Sequence, residues 1–319
     1  MTKIRNFPTP VAGLALGISA IGWCWENYAP HLGLIQNLTS AIALVLVMGV
    51  AAKFIRHPSK LFEELRHPIV GSVLPTMCMA LMAISYDLIH FHQLAITGRV
   101  VWYGAVILHL LFFFLFTYHR CRGFKLNDII PSWFIPPIGP ILGCLANPGA
   151  DTLWLSNILL ILGVGSYVIM LPLLMYRLTF HERLQPAEIP TFAIMAAPSN
   201  LIIIGYLGVA DAPMINMLLM LSGVAILLNA VFYLSLVRLL REPFSAGFSA
   251  YTFPLASGAT AMFKMEEVLS RYHLTNGVEM FHYLAIIQLY ISSAVIAYVA
   301  LCFLKHYRTN LIGMFVNRY

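Results

Sequence analysis

The sequence predicts an all-α integral membrane protein: ten transmembrane helices forming five helical hairpins in a ring, with bent odd-numbered helices lining a central pore. Three observations carry that prediction. Some 60% of the residues are hydrophobic and only 10% are charged, with a mean hydropathy of +0.82, well outside the range of soluble domains. The charges gather in clusters between apolar runs of about 20 residues, the length that crosses a bilayer. Four prolines also recur deep in those runs, Pro75, Pro136, Pro198 and Pro254, at intervals of 61, 62 and 56 residues. A mid-helix proline frees a carbonyl that only protein or water can re-satisfy in lipid. Its recurrence in every second run reads as an internal repeat that turns one bent helix per unit toward a common centre.

The expected spans are 9–27, 33–54, 68–89, 97–118, 129–148, 152–176, 190–209, 213–239, 245–263 and 279–304. Short loops join them, so residues 1–319 read as one transmembrane domain. The first follows Lys3 and Arg5 as a signal peptide would, but Pro8, Pro10 and the glycines Gly13, Gly17 and Gly22 fit a retained first helix better. The third carries Gly71 and Pro75. The fifth reads Pro136-Pro137-Ile138-Gly139-Pro140, the seventh has Pro198 and Gly205, and the ninth has Pro254 and Gly258. Kinks are therefore expected at Pro75, Pro136, Pro137, Pro198 and Pro254. The even spans differ. The fourth holds the run Leu110 to Phe116 and the tenth is uninterrupted, as suits an outer shell, with Pro172 in the sixth as the exception.

Basic residues set the orientation. Sixteen of the 19 Lys and Arg residues fall on the side that holds both termini: Lys3 and Arg5; Lys53, Arg56, Lys60 and Arg66; Arg120, Arg122 and Lys125; Arg177 and Arg183; Arg238 and Arg241; Lys305, Arg308 and Arg318. Only Arg99, Lys264 and Arg271 lie opposite, which places both termini in the cytoplasm. The net charge of +6 thus follows from topology and does not point to nucleic acid. Five scattered cysteines make no CxxC, and His90-x-His92 lacks a third ligand, so no disulfide framework, metal site or cofactor is expected.

The spans are almost free of charge. Glu26, Asp87, Asp151 and Asp211 fall at the outer span ends, and His109 reads as a hydrogen-bonded packing histidine on an outer helix. The odd spans carry hydroxyls and amides instead: Ser72, Thr76, Ser199, Asn200, Thr252, Ser257 and Thr260. Ser249, Phe253, Ser257 and Thr260 stand at i, i+4, i+8 and i+11, one stripe of a helix. Such a stripe suits a narrow polar path with an aromatic plug, its hydroxyls replacing part of an anion's water shell without a fixed charge to trap it. Serines bonded back to their own helix carbonyls would give the same spacing.

The string Phe244-Ser245-Ala246-Gly247-Phe248-Ser249-Ala250-Tyr251-Thr252-Phe253-Pro254 resembles the ninth helix of the plant slow anion channels. Those sit with bacterial tellurite-resistance proteins and yeast malate permeases in the tellurite-resistance/dicarboxylate transporter family. Phe7-Pro8 followed by Gly13 to Gly17, Arg66-His67-Pro68 and Ala196-Ala197-Pro198-Ser199 are similar to other helices of that family, in the same order. The resemblance implies a homotrimer in the bacterial inner membrane, each subunit a ring of five hairpins around its own pore, with Phe253 as the gate. It implies passive passage of small monovalent anions such as chloride and nitrate, and no enzyme activity. Proton-coupled C4-dicarboxylate transport and tellurite or drug efflux are the alternatives. One departure is that Leu14 follows Gly13 directly, where relatives commonly place an aromatic between the first-helix glycines.

Overall fold

A computed structural model describes residues 2–29 and 33–316. Arg318, one of the basic residues that set the expected orientation, lies outside them. Among the described residues every regular element is helical. The chain runs through α1 (Thr2–Arg5), α2 (Val11–Tyr28), α3 (Leu34–Arg56), α4 (Pro58–Arg66), α5 (Pro68–Val73), α6 (Thr76–His90) and α7 (Ala95–Cys121). It continues through α8 (Ile135–Ile138), α9 (Leu142–Leu145), α10 (Leu153–Phe180), α11 (Ala197–Val209), α12 (Ile215–Leu239), α13 (Thr252–Arg271) and α14 (Thr275–Val316).

Among the described residues seven elements are long and apolar enough to cross a membrane, and their burial sorts them into two classes. In 68–90 and 189–209, 72% of the most apolar stretch is buried by protein. The other five, α3, α7, α10, α12 and α14, bury only 22–39% and expose large apolar side chains such as Ile107, Ile161, Leu234 and Leu301. Exposed apolar faces of that length suit lipid. Three expected spans fall outside the seven. The stretch α2 ends in Glu26 and Asn27, the fifth span is cut into short pieces, and α13 runs on through Lys264, Glu266 and Glu267. All three are enclosed by other helices, and an enclosed element need not be apolar all round.

Each enclosed element packs on the longer, lipid-facing helix that follows it: α2 on α3, α6 on α7, α8 and α9 on α10, α11 on α12, and α13 on α14. The enclosed elements also touch in sequence, α2 on α6, α6 on α9, α9 on α11 and α11 on α13, and α13 packs back on α2. Glycine makes that last contact close. A Cβ on Gly17 would stand 2.3 Å from Thr252 Oγ1, and one on Gly13 would stand 3.2 Å from Ser249 Oγ.

The prolines expected to kink the odd spans stand near the starts of α-helical segments. Pro75 caps α6 just after α5 ends, Pro198 is the second residue of α11, and Pro254 is the third of α13. Residues 189–196 and 246–251 before the last two are 3₁₀ segments. A helix's first N–H groups have no intrahelical acceptor, so proline costs nothing there. Each of the three thus stands where one helical segment passes into the next. Only the fifth span is broken throughout, into 131–134, α8, 139–141 and α9. Its outer neighbour α7 satisfies it. Pro140 cannot donate to Pro136, and His109 Nε2 donates to that freed carbonyl at 3.0 Å, while Trp102 Nε1 donates to Gly143 at 3.1 Å.

The sequence also gave no sign of α4, a short amphipathic helix beside the basic ends of the spans. Buried Lys53 pins it, reaching Glu64 as well as the Phe7 carbonyl at 3.0 Å and Thr9 Oγ1 at 2.9 Å. Lys53 therefore serves packing as well as topology.

Candidate functional site

Two cavities adjoin inside the enclosed elements. The first, of about 50 Å³ and toward the basic side, is walled by Gly13 of α2, Thr76 of α6, Ile138 of α8, Pro198 of α11 and Ser249 before α13. The second, of about 40 Å³ and toward the opposite side, is walled by Ser19 of α2, Asp87 of α6, Leu142 of α9, Ile204 of α11 and Ser257 of α13. Only two residues wall both, Leu16 and Phe253. They stand where the cavities meet. Phe253 is the second residue of α13, fixed by the junction with 246–251 behind it and Pro254 ahead. Leu16 is fully packed on α2, between the two glycines that let α13 approach.

The four stripe residues wall these cavities but do not share one helix. Ser249 belongs to the 3₁₀ segment and walls the first cavity, while Ser257 and Thr260 wall the second, with Phe253 between. Thr76 walls the first cavity too. The other three expected lining residues are not on these walls. Ser72 lies 2.8 Å from the Ile69 carbonyl and 2.7 Å from Ser132 Oγ. Ser199 is buried within the bundle. Asn200 Nδ2 donates to the Ala196 carbonyl at 2.7 Å and to Asn229 Oδ1 at 2.9 Å, and Asn229 reaches Gln288 Oε1 at 3.2 Å, an amide chain that ties α11 to α12 and α14. A buried amide bonded on this scale holds helices together.

The hydroxyls on the walls are partly spent. Thr76 donates to the Val73 carbonyl at 2.7 Å and Ser257 to the Pro254 carbonyl at 2.9 Å, and a hydroxyl has one proton to give. These two present lone pairs to the cavity until they rotate. Thr260 Oγ1 shares a hydrogen bond with Cys24 Sγ at 2.9 Å. No bond from Ser249 to another protein group is seen among the described residues. Neither wall carries Lys, Arg or His. The cavity pair is therefore small and mostly apolar, with a few weak polar groups and the Phe253 side chain on both walls.

One charge does line it. Asp87, expected at an exposed span end, is only 2% exposed and sits on the wall of the second cavity. Gln36 Nε2 donates to its Oδ1 at 2.7 Å and the Ser40 hydroxyl donates to its Oδ2. No Lys, Arg or His forms an ion pair with it among the described residues. The charged groups of that end are engaged elsewhere: Glu26 accepts from the Gly33 and Ile35 N–H groups, Arg99 pairs with Asp151, and Lys264 pairs with Glu267. Sequence reasoning missed Leu16, Gln36 and Asp87. Gln36 and Ser40, at i and i+4 in the polar first turns of a span that is apolar beyond them up to Lys53, were the available signal.

Comparison with known proteins places residues 6–304 on the profile of a family described as voltage-dependent anion channel. Two uncharacterized transporters of Methanocaldococcus jannaschii are also similar. One is 24% identical over 282 residues, covering 79% of this chain and 82% of that protein. The other is 25% identical over 285 residues, covering 80% and 82%.

Proposed function

The chain belongs to the voltage-dependent anion channel family, and on that footing we propose that it passes small monovalent anions such as chloride and nitrate down their gradient. Anion transport follows from the family. The passive route through each subunit is our reading, with five hairpins arranged in a ring and Phe253 as the plug. The observation that supports it is that Phe253 and Leu16 alone wall both cavities. An anion crossing there sheds water against an apolar face, which costs several kcal/mol. Reversal potentials of the purified protein in planar bilayers test the reading. They should follow the chloride or nitrate gradient and ignore a cation or pH gradient. A reversal potential set by protons would defeat it.

A second reading, a proton-coupled carrier of C4-dicarboxylates, is favoured by Asp87, since a carboxylate on the wall repels an anion until it takes up a proton. Uptake into proteoliposomes with stoichiometric alkalinisation outside would select it. Tellurite or drug efflux has no residue in the site that favours it. We place the protein in a bacterial inner membrane, as a homotrimer with both termini cytoplasmic.

A further inference from the structure

A larger cavity lies away from these two. It has a volume of about 270 Å³ and lies between α7, α10 and the segment around Trp133, on the basic side. Its body is apolar, with Phe113, Phe116 and Phe124 at one wall and Ile169 and Met170 at the other. It opens among side chains that face the membrane, since Phe124 is 52% and Ile169 70% exposed. Its polar end is unusual. Arg120 and Trp133 both wall the cavity, and Arg120 Nε and Trp133 Nε1 are buried N–H donors with no hydrogen-bond partner. Trp133 as a whole is only 7% exposed. Both touch Phe116, whose ring meets Trp133 edge-on at 5.5 Å and the Arg120 guanidinium at 5.8 Å. Arg120 is fixed further by donating to the Arg66 carbonyl. Buried donors are nearly always paired, so two orphans at the end of one cavity call for an acceptor from outside the chain. Beside a guanidinium, with Arg122 and Lys125 on the following loop, that acceptor is anionic.

We propose that this cavity binds an anionic phospholipid from the leaflet on the basic side. Its phosphate oxygens accept from Arg120 and Trp133, and one acyl chain lies along Phe113, Ile169 and Met170. A free phosphate would satisfy the donors and leave the apolar length of the cavity empty. The site also has a place in the architecture. Trp133 and Pro137 wall this cavity, while Phe134, Ile135 and Ile138 wall the first cavity, so one segment separates lipid from the path.

Native mass spectrometry of the purified full chain, titrated with phosphatidylglycerol or phosphatidylcholine, tests the site. Phosphatidylglycerol should bind the wild type at least tenfold more tightly than phosphatidylcholine, and Arg120→Gln should remove that preference. Ser166→Phe, which fills the cavity without touching the Arg120–Arg66 bond, should lower phosphatidylglycerol binding to the same degree and decides the matter should Arg120→Gln not fold. Equal binding of the two lipids, or phosphatidylglycerol binding unchanged in Ser166→Phe, would overturn the proposal. So would inorganic phosphate displacing the bound lipid at equal concentration.

Discussion

At the scale of single residues, Phe253 carries the sharpest expectation. Replacing the ring by alanine joins two cavities that it now divides, and about 1.4 kcal/mol off a barrier is a factor of ten in rate. Phe253→Ala should raise anion conductance at least tenfold, with thermal stability measured alongside. A well-folded variant with unchanged current removes the gate role, because an ordinary core phenylalanine would show its loss in stability, at roughly 3–5 kcal/mol. Leu16 stands across the same junction, so Leu16→Ala should add to the effect. Asp87 carries the pH dependence. Its ionised form repels an anion in the second cavity and its protonated form does not, so flux should fall as the pH rises through its titration. Asp87→Asn should keep flux at its low-pH level throughout. A wild-type flux flat between pH 4 and 9 on the order of the carboxylate range and above would exclude this role. The place of Phe253 beside the cavities was legible in the sequence because a proline and a hydroxyl stripe framed it. Asp87 was not, since an acidic residue at the end of an apolar run looks the same whether it meets water or a cavity wall.

At the scale of elements, the position of a proline within a helix matters more than its presence. Pro254 stands where no N–H is needed, so Pro254→Ala should change stability by less than about 1 kcal/mol. His109→Ala, on a different helix, strands the Pro136 carbonyl and should cost about 1–3 kcal/mol for the lost bond, with cavity formation added. Chemical denaturation of both variants in detergent compares them, and an inverted order would refute the account. The alternation of enclosed and lipid-facing elements was legible because proline and glycine cluster in every second apolar run. The junctions themselves were not. Proline marks a helix start and a helix bend with the same letter, and only the backbone on its N-terminal side distinguishes them. Likewise α4 was hidden, because nine residues hold too few turns to show a period against the charges around them.

At the scale of the whole molecule, exposed apolar faces on α3, α7, α10, α12 and α14 can meet lipid or a second copy with equal ease. Our expectation of a trimer with three separate paths is checked by crosslinking in membranes together with single-channel records. A ladder ending at dimers, or one conductance level shared by the whole assembly, would count against it. The contact between α2 and α13 has a further consequence, for how the protein is made. Thr252 Oγ1 lies 3.1 Å from the Gly13 carbonyl, across 239 residues of chain, and 2.7 Å from the Ser249 carbonyl, so the residue before Phe253 is part of that seam. At 5–20 residues per second, α2 waits roughly 12–48 s in the bilayer before its partner leaves the ribosome. Through that interval the half-made wall has no closing edge, and lipid or insertion machinery must occupy the place that α13 later takes. A ribosome that stalls before α13 therefore leaves a chain that can be recognised as unfinished, because its glycine face stays open to the membrane.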